Sequence, residues 1–261
     1  MLIALSGTKG APGVTTTCLA LAAIWHRDST VLLVEADPDG GALAARLGLS
    51  QEPGIGTLAV AGRHDLSIAA LDDHAQAGPA SVPVIVAPSS PIHIRAALRA
   101  VARSIGRCTA AMDGNVIVDL GRLDTESPSL ALAAAAGRVI FLARPTIEGV
   151  DALAVRLGEL VELRSRAGLV TVGEGPYSGE EIAEVLSIVN VGHLPYDTGG
   201  ASAVLSGAGN AFSGRRPLLR ALVSLADRLG TDPIQSDSSI GDRSSGDKAR
   251  VPVSLRTGAS Q

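Results

Sequence analysis

Gly7-Thr-Lys-Gly-Ala-Pro-Gly-Val-Thr-Thr-Thr17 follows directly on a strand-length apolar run, residues 2–6, and leads into a helical pattern over residues 15–26. A strand, a glycine-rich turn and a helix in that order make the place where an open α/β sheet binds phosphate, at the carboxyl end of a strand and on a helix N-terminus. Glycines there let the backbone approach an anion with its N–H groups turned inward. Thr15 and Thr16, at the helix start, bring hydroxyls that cap free N–H groups or ligate the magnesium of a bound nucleotide. Alone, such a turn is equally an ordinary strand-to-helix connection.

Outward from this turn, apolar runs of strand length recur at 30–35, 82–87, 116–120, 139–143, 169–172 and 189–194. Most are continuous rather than alternating, the pattern of strands covered on both faces. Helical patterns separate them at 41–47, 92–105, 129–136, 148–166, 179–186 and 217–229. Strand and helix alternating this often predict βαβ units and an α/β fold: a doubly wound, mostly parallel sheet with helices on both faces. No linker divides residues 1–230, which read as a single domain. From Thr231 the composition turns to Ser, Asp, Gly and Arg without periodicity, and residues 231–261 read as a disordered tail.

Composition narrows the function classes. The 261 residues are 46% hydrophobic, 18% charged and 2% aromatic, and 22 Lys and Arg against 26 Asp and Glu give a net charge of −4. Neither that balance nor five scattered aromatics favours nucleic acid, although Arg95, Arg99 and Arg103 at spacing four leave a basic helix stripe open as a partner or DNA surface. Cys18 and Cys108 have no metal-ligand spacing, and a reducing cytoplasmic setting fits them. No apolar stretch is long enough to span a membrane, and no export signal opens the chain.

Two further strand ends carry carboxylates. Val31-Leu-Leu-Val-Glu-Ala-Asp-Pro-Asp-Gly40 places Glu35, Asp37 and Asp39 at the carboxyl end of the second strand, and Asn115-Val-Ile-Val-Asp119 ends an apolar strand in an aspartate. Carboxylates converging on one crevice imply a cation or a water to activate, and an aspartate at such a strand end holds a metal-bound water in phosphoryl-transfer sites. Any one of them alone could simply cap a helix.

At this point residues 1 to about 230 resemble, in order, the MinD/ParA group of deviant-Walker P-loop ATPases, which position other machinery in bacteria. Lys9-Gly-Ala-Pro-Gly-Val-Thr-Thr16 is similar to the group's K-G-G-x-G-K-T-T, residues 31–39 to its V-L-L-V-D-x-D-P-Q, and Val116 to Asp119 to its Walker B strand. Gly192-His-Leu-Pro-Tyr-Asp197 is similar to G-x-I-P-Y-D, and the segment from Arg216 to the group's last helix. The resemblance implies ATP and Mg²⁺ as ligands. Lys9 would reach across a homodimer to the partner's phosphates, Gly10, Ala11, Gly13 and Val14 would line the phosphate loop, Thr15 would ligate Mg²⁺ and Thr16 would touch a phosphate. Asp37 would orient the attacking water, and Asp119 would hold a water on the metal.

The pattern also breaks. Val14 stands where the second lysine belongs, and valine offers no cation to the charge that develops in phosphoryl transfer, which predicts weak or absent hydrolysis. Pro12 lacks an N–H, and Ala11 replaces a glycine. Glu35 replaces an aspartate, and Gly173-Glu-Gly-Pro176 replaces the segment where the group has an adenine-reading asparagine. A degenerate loop on this fold is most similar to the CpaE/TadZ-like branch, which implies a positioning or scaffold protein with partners in a localisation, secretion or pilus system, recruited by a partner to a pole or membrane. Two alternatives stay open: an active ATPase in which Lys9 or Arg122 supplies the missing charge, and a DNA-binding partition protein.

Overall fold

The computed structural model describes residues 1–8, 13–26, 29–62, 66–206 and 216–231. The expected tail, residues 231–261, lies outside them except for Thr231, which ends the last helix.

An eight-stranded sheet carries the fold. Its strands are β1 (Leu2–Gly7), β2 (Val31–Glu35), β3 (Gln76–Ala77), β4 (Pro83–Ile85), β5 (Asn115–Asp119), β6 (Arg138–Ala143), β7 (Ala167–Val172) and β8 (Val189–Leu194), in spatial order β3-β4-β2-β5-β1-β6-β7-β8. All neighbours run parallel except the short edge pair β3 and β4. The chain winds from β1 past β5 to β2, and later from β5 past β1 to β6. That reversal opens a crevice beyond the carboxyl ends of β1, β5 and β2, the general ligand position of doubly wound sheets.

Two apolar layers sandwich the sheet, and alternate residues of one strand feed them. Leu2 and Ala4 join one core, with helices α3 (Ile55–Ala61), α4 (Ile68–Asp73), α5 (Pro91–Ala110), α6 (Leu130–Ala135), α7 (Ile147–Glu159) and α8 (Gly179–Leu186). Ile3 and Leu5 join the other, with α1 (Val14–Trp25), α2 (Leu43–Leu47), α9 (Thr198–Leu205) and α10 (Pro217–Thr231). Burial on both faces explains why β1 reads as an unbroken apolar run. The α5 helix buries Ile94, Ala97, Leu98, Val101, Ala102 and Ile105, one helical stripe, and turns Arg99 and Arg103 to solvent.

Some expectations are corrected. The helix expected over 148–166 ends at Glu159, and residues 161–166 form a 3₁₀ turn. Leu157, Leu160 and Leu163 are all buried at spacing three, which the tighter 3₁₀ winding keeps on one side. Short elements escaped the periodicity argument altogether: α3, whose start is masked by Gly54 and Gly56, and α4, α9 and β3. The strand expected over 82–87 pairs only at Pro83–Ile85, and the helix expected to end at 105 continues to Ala110.

Candidate functional site

The end of β1 is tied on both sides. Gly7 N–H donates to the Gly121 carbonyl at 2.8 Å, Thr8 N–H donates to the Leu142 carbonyl at 3.0 Å, and the Ser6 hydroxyl donates to the Gly121 carbonyl at 3.1 Å. The loop therefore leaves the sheet between β5 and β6. Lys9, Gly10, Ala11 and Pro12 lie outside the described residues. The chain re-enters at Gly13, whose φ of 98° is a left-handed conformation open to glycine, and whose carbonyl accepts from Thr17 N–H at 2.8 Å. Among the described residues no side chain caps α1, and the N–H groups of a helix start suit an anion.

Val14 is the first residue of α1, and it is 8% exposed, packed with the core layer of α1, α2 and α10. Its packing is that of an apolar residue. A cavity of about 270 Å³ opens beside it, lined by Gly13 and Val14 to Thr17, by Arg46 of α2, and by Pro195, Tyr196 and Asp197 after β8. Gly13, Val14, Thr15 and Thr16, four of the residues expected in the phosphate loop, thus share one hollow. Asp197 caps α9 by accepting from Gly200 N–H at 2.8 Å, while Tyr196 is 68% exposed at the rim.

Asp37 and Asp119 meet around Gly121. Asp119, fully buried, accepts from Gly121 N–H at 2.9 Å through Oδ1, and its Oδ2 has no hydrogen-bond partner among the described residues. The Thr15 hydroxyl stands close enough to favour the charged carboxylate, although nothing completes a hydrogen bond to Oδ2. Burial nevertheless pushes the Asp119 carboxyl from 3.8 up to about 6, helped by the charge of Glu35. Asp37 accepts from Asp39 N–H at 2.9 Å, and its carboxyl lies against Gly121, where φ is +57° and any added Cβ would collide with it. Burial lifts this carboxyl to about 6 as well; Asp119 adds to the rise, and the Asp39 N–H and the charge of Arg122 oppose it.

Glu35 and Asp39 do not join them. The Glu35 carboxylate accepts from Ala42 N–H at 2.6 Å, Leu43 N–H at 2.8 Å and Ala87 N–H at 2.9 Å, pinning the start of α2 and the exit of β4 to the end of β2. Burial still raises its carboxyl, against those three donors. The extra methylene relative to aspartate gives it the reach for this bridge, so the residue organises backbone and is spoken for. Asp39 points outward and pairs with Arg95 at 3.1 Å, a surface contact worth little energetically, which also removes Arg95 from the free basic stripe. Arg46 was missed by the sequence reading, because nothing local marks one arginine on a five-residue helix as facing the start of α1.

Among the described residues, no three of His, Cys, Asp and Glu gather as a metal centre. The donors that fit Mg²⁺ are one hydroxyl, Thr15, and one unpartnered carboxylate oxygen, Asp119 Oδ2. Such a pair suits an ion that also takes ligand phosphates and waters. No helix among the described residues is long and apolar enough to cross a membrane.

No family profile matches the chain, and no curated protein matches it in sequence. Solved structures do match in fold. A ParA family ATPase from Chlorobium tepidum is 16% identical with a TM-score of 0.70, covering 87% of this chain and 98% of that one. The MinD cell division protein of Aquifex aeolicus is 15% identical with a TM-score of 0.66, covering 87% and 95%. The septum site-determining protein MinD of Pyrococcus horikoshii, complexed with Mg-ADP, is 16% identical with a TM-score of 0.61, covering 88% and 97%. The chain therefore has the P-loop fold of the MinD and ParA proteins.

Proposed function

We propose that the chain is a nucleotide-binding positioning protein of the MinD/ParA kind that turns its nucleotide over weakly or not at all. One observation carries this reading. Thr15, in the first turn of α1, stands beside the buried Asp119 carboxylate, which shares Gly121 with Asp37, while the position that should bring a lysine to the phosphates is the packed Val14. Among the described residues, no side chain caps the start of α1, Asp119 Oδ2 lacks a hydrogen-bond partner, and a cavity lies beside the first turn of α1.

In this reading Thr15 and Asp119 hold Mg²⁺ with the nucleotide's phosphates, and the metal supplies charge neutralisation when bound. Thr16 and the N–H groups of the first turn take phosphate oxygens. Asp37, held against Gly121 near Asp119, orients a water; its carboxyl at about 6 is largely ionised at neutral pH and able to accept a proton. What fails is stabilisation of the transferring phosphoryl group. Losing one preorganised donor of that kind costs roughly 10²- to 10³-fold in rate. Lys9, Gly10 and Ala11 enter this reading through the sequence resemblance, with Lys9 completing a partner's site across a homodimer. In this reading residues 1–230 act as one unit, and the sequence resemblance of the degenerate loop favours the CpaE/TadZ-like branch, with protein partners at a pole or membrane.

Calorimetric titration of ATP with Mg²⁺, with the mass in solution followed in parallel, tests the proposal. Saturable binding with little or no phosphate release supports it, and absence of binding overturns it. The active-ATPase alternative draws on the charge of Arg122 reaching Asp37, and would show as sustained phosphate release.

A further inference from the structure

We infer that Arg46 supplies, from α2, the cation that the phosphate-binding loop lacks at Val14, and so anchors the phosphate chain of a bound nucleoside di- or triphosphate. The inference rests on the nucleotide reading above and adds a residue that neither the sequence resemblance nor the fold assigns.

The placement is indirect but tightly built. The Glu35 carboxylate holds the first two N–H groups of the α2 turn, Ala42 and Leu43, at 2.6 and 2.8 Å, which fixes the helix at the end of β2. Leu43 and Ala44 then sink into the same apolar layer as α1. One turn later Arg46 emerges on the outer side and lines the cavity with Gly13 and Val14 to Thr17. The helix stops directly afterwards at Gly48, in a left-handed conformation, so Arg46 sits in its last turn.

Charge is what makes the position informative. Arg46 is the one cationic side chain lining that cavity among the described residues; it makes no direct ion pair, although its charge acts on Asp119, whereas Arg95 is engaged with Asp39 and Arg122 stands outside the cavity. Asp119, with its unpartnered Oδ2, puts negative charge beside Thr15, which would repel a polyphosphate unless a cation offset it. Val14 contributes none. A guanidinium on the wall of this cavity can instead take two phosphate oxygens at once.

Arg46→Ala and Arg46→Lys test this in the full chain, since an exposed side chain can be replaced without disturbing the core. ADP with Mg²⁺ and adenosine are titrated calorimetrically into wild type, both variants and Arg122→Ala, with thermal unfolding as a check on folding. Arg46→Ala should weaken ADP binding about tenfold or more, Arg46→Lys should recover much of it, and Arg122→Ala should stay within about twofold. Whatever adenosine affinity the wild type shows should be unchanged, because a phosphate anchor does not touch the nucleoside. Equal ADP affinity in wild type and Arg46→Ala, or equal losses for ADP and adenosine, overturns the inference alone. A wild type that binds no ADP overturns the nucleotide reading itself.

Discussion

Replacing Asp119 by asparagine should make the ligand-free protein more stable at neutral pH while impairing its ligand site. Asparagine keeps the size of the side chain and an oxygen for the Gly121 N–H bond at 2.9 Å, and it removes a charge held without exposure to solvent. The carboxyl is raised from 3.8 to about 6, so at high pH the folded state carries the charge at a cost of about 3 kcal/mol relative to the unfolded chain. The sign follows from proton counting. Below about pH 3.8 both states hold the proton and the cost is absent. Between 3.8 and 6 the folded state holds more protons than the unfolded one, and stability falls as pH rises; above 6 the full cost is present. Asp37, also raised to about 6, acts in the same direction, as does Glu35. Urea unfolding followed by fluorescence of Trp25, the single tryptophan, gives the readout at pH 4.5 and pH 8. Wild type should lose stability between the two, opposite to the usual behaviour of paired surface carboxylates. Asp119→Asn should flatten that slope and gain about 2–3 kcal/mol at pH 8, roughly 5–10 °C in melting temperature. Equal stability of the two proteins at pH 8, or a wild type that becomes more stable from pH 4.5 to pH 8, would refute the reasoning.

Two more substitutions separate the parts of the site. Val14→Lys places a cation at the start of α1 and, on the proposed reading, should raise phosphate release by about 10²- to 10³-fold over wild type, measured by a coupled phosphate assay; a variant as slow as wild type shows that another defect limits the chemistry. Glu35→Ala leaves the N–H groups of Ala42, Leu43 and Ala87 without their acceptor, and should cost about 3–5 kcal/mol in urea unfolding. A loss below about 1 kcal/mol would mean that the bridge from β2 to α2 and β4 is not what holds them.

The sequence carried the frame of this molecule because the frame is made by local patterns. Continuous apolar runs marked strands covered on both faces, and β8 and α8 fall on the residues where the apolar run and the helical pattern placed them, 189–194 and 179–186. The Ser178 hydroxyl and Glu181 carboxylate that close the first turn of α8 are three residues apart, within reach of a sequence pattern. The positions of Gly13, Val14, Thr15 and Thr16 at the start of α1, and of Asp37 and Asp119 at or just after strand ends, were readable one at a time, while their roles rest on the proposed function. What escaped depends on partners far away in the chain. Glu35 looked like a third site carboxylate until its donors at positions 42, 43 and 87 were in place, and Arg46 gained meaning only when α2 was seen to face the start of α1. Small-residue helices such as α9, with Gly199, Gly200, Ala201 and Ser202, carry too little apolar contrast for periodicity to reveal them.

The central claim is that the turn between β1 and α1 still holds a nucleotide's phosphates although its lysine has become Val14. Titration of ATP with Mg²⁺ into the purified full chain, scored at once for heat, phosphate release and molecular mass, addresses it most directly. Saturable binding, with association into a dimer and negligible release, is the predicted result. A flat titration with unchanged mass would contradict the claim and leave only a shared fold.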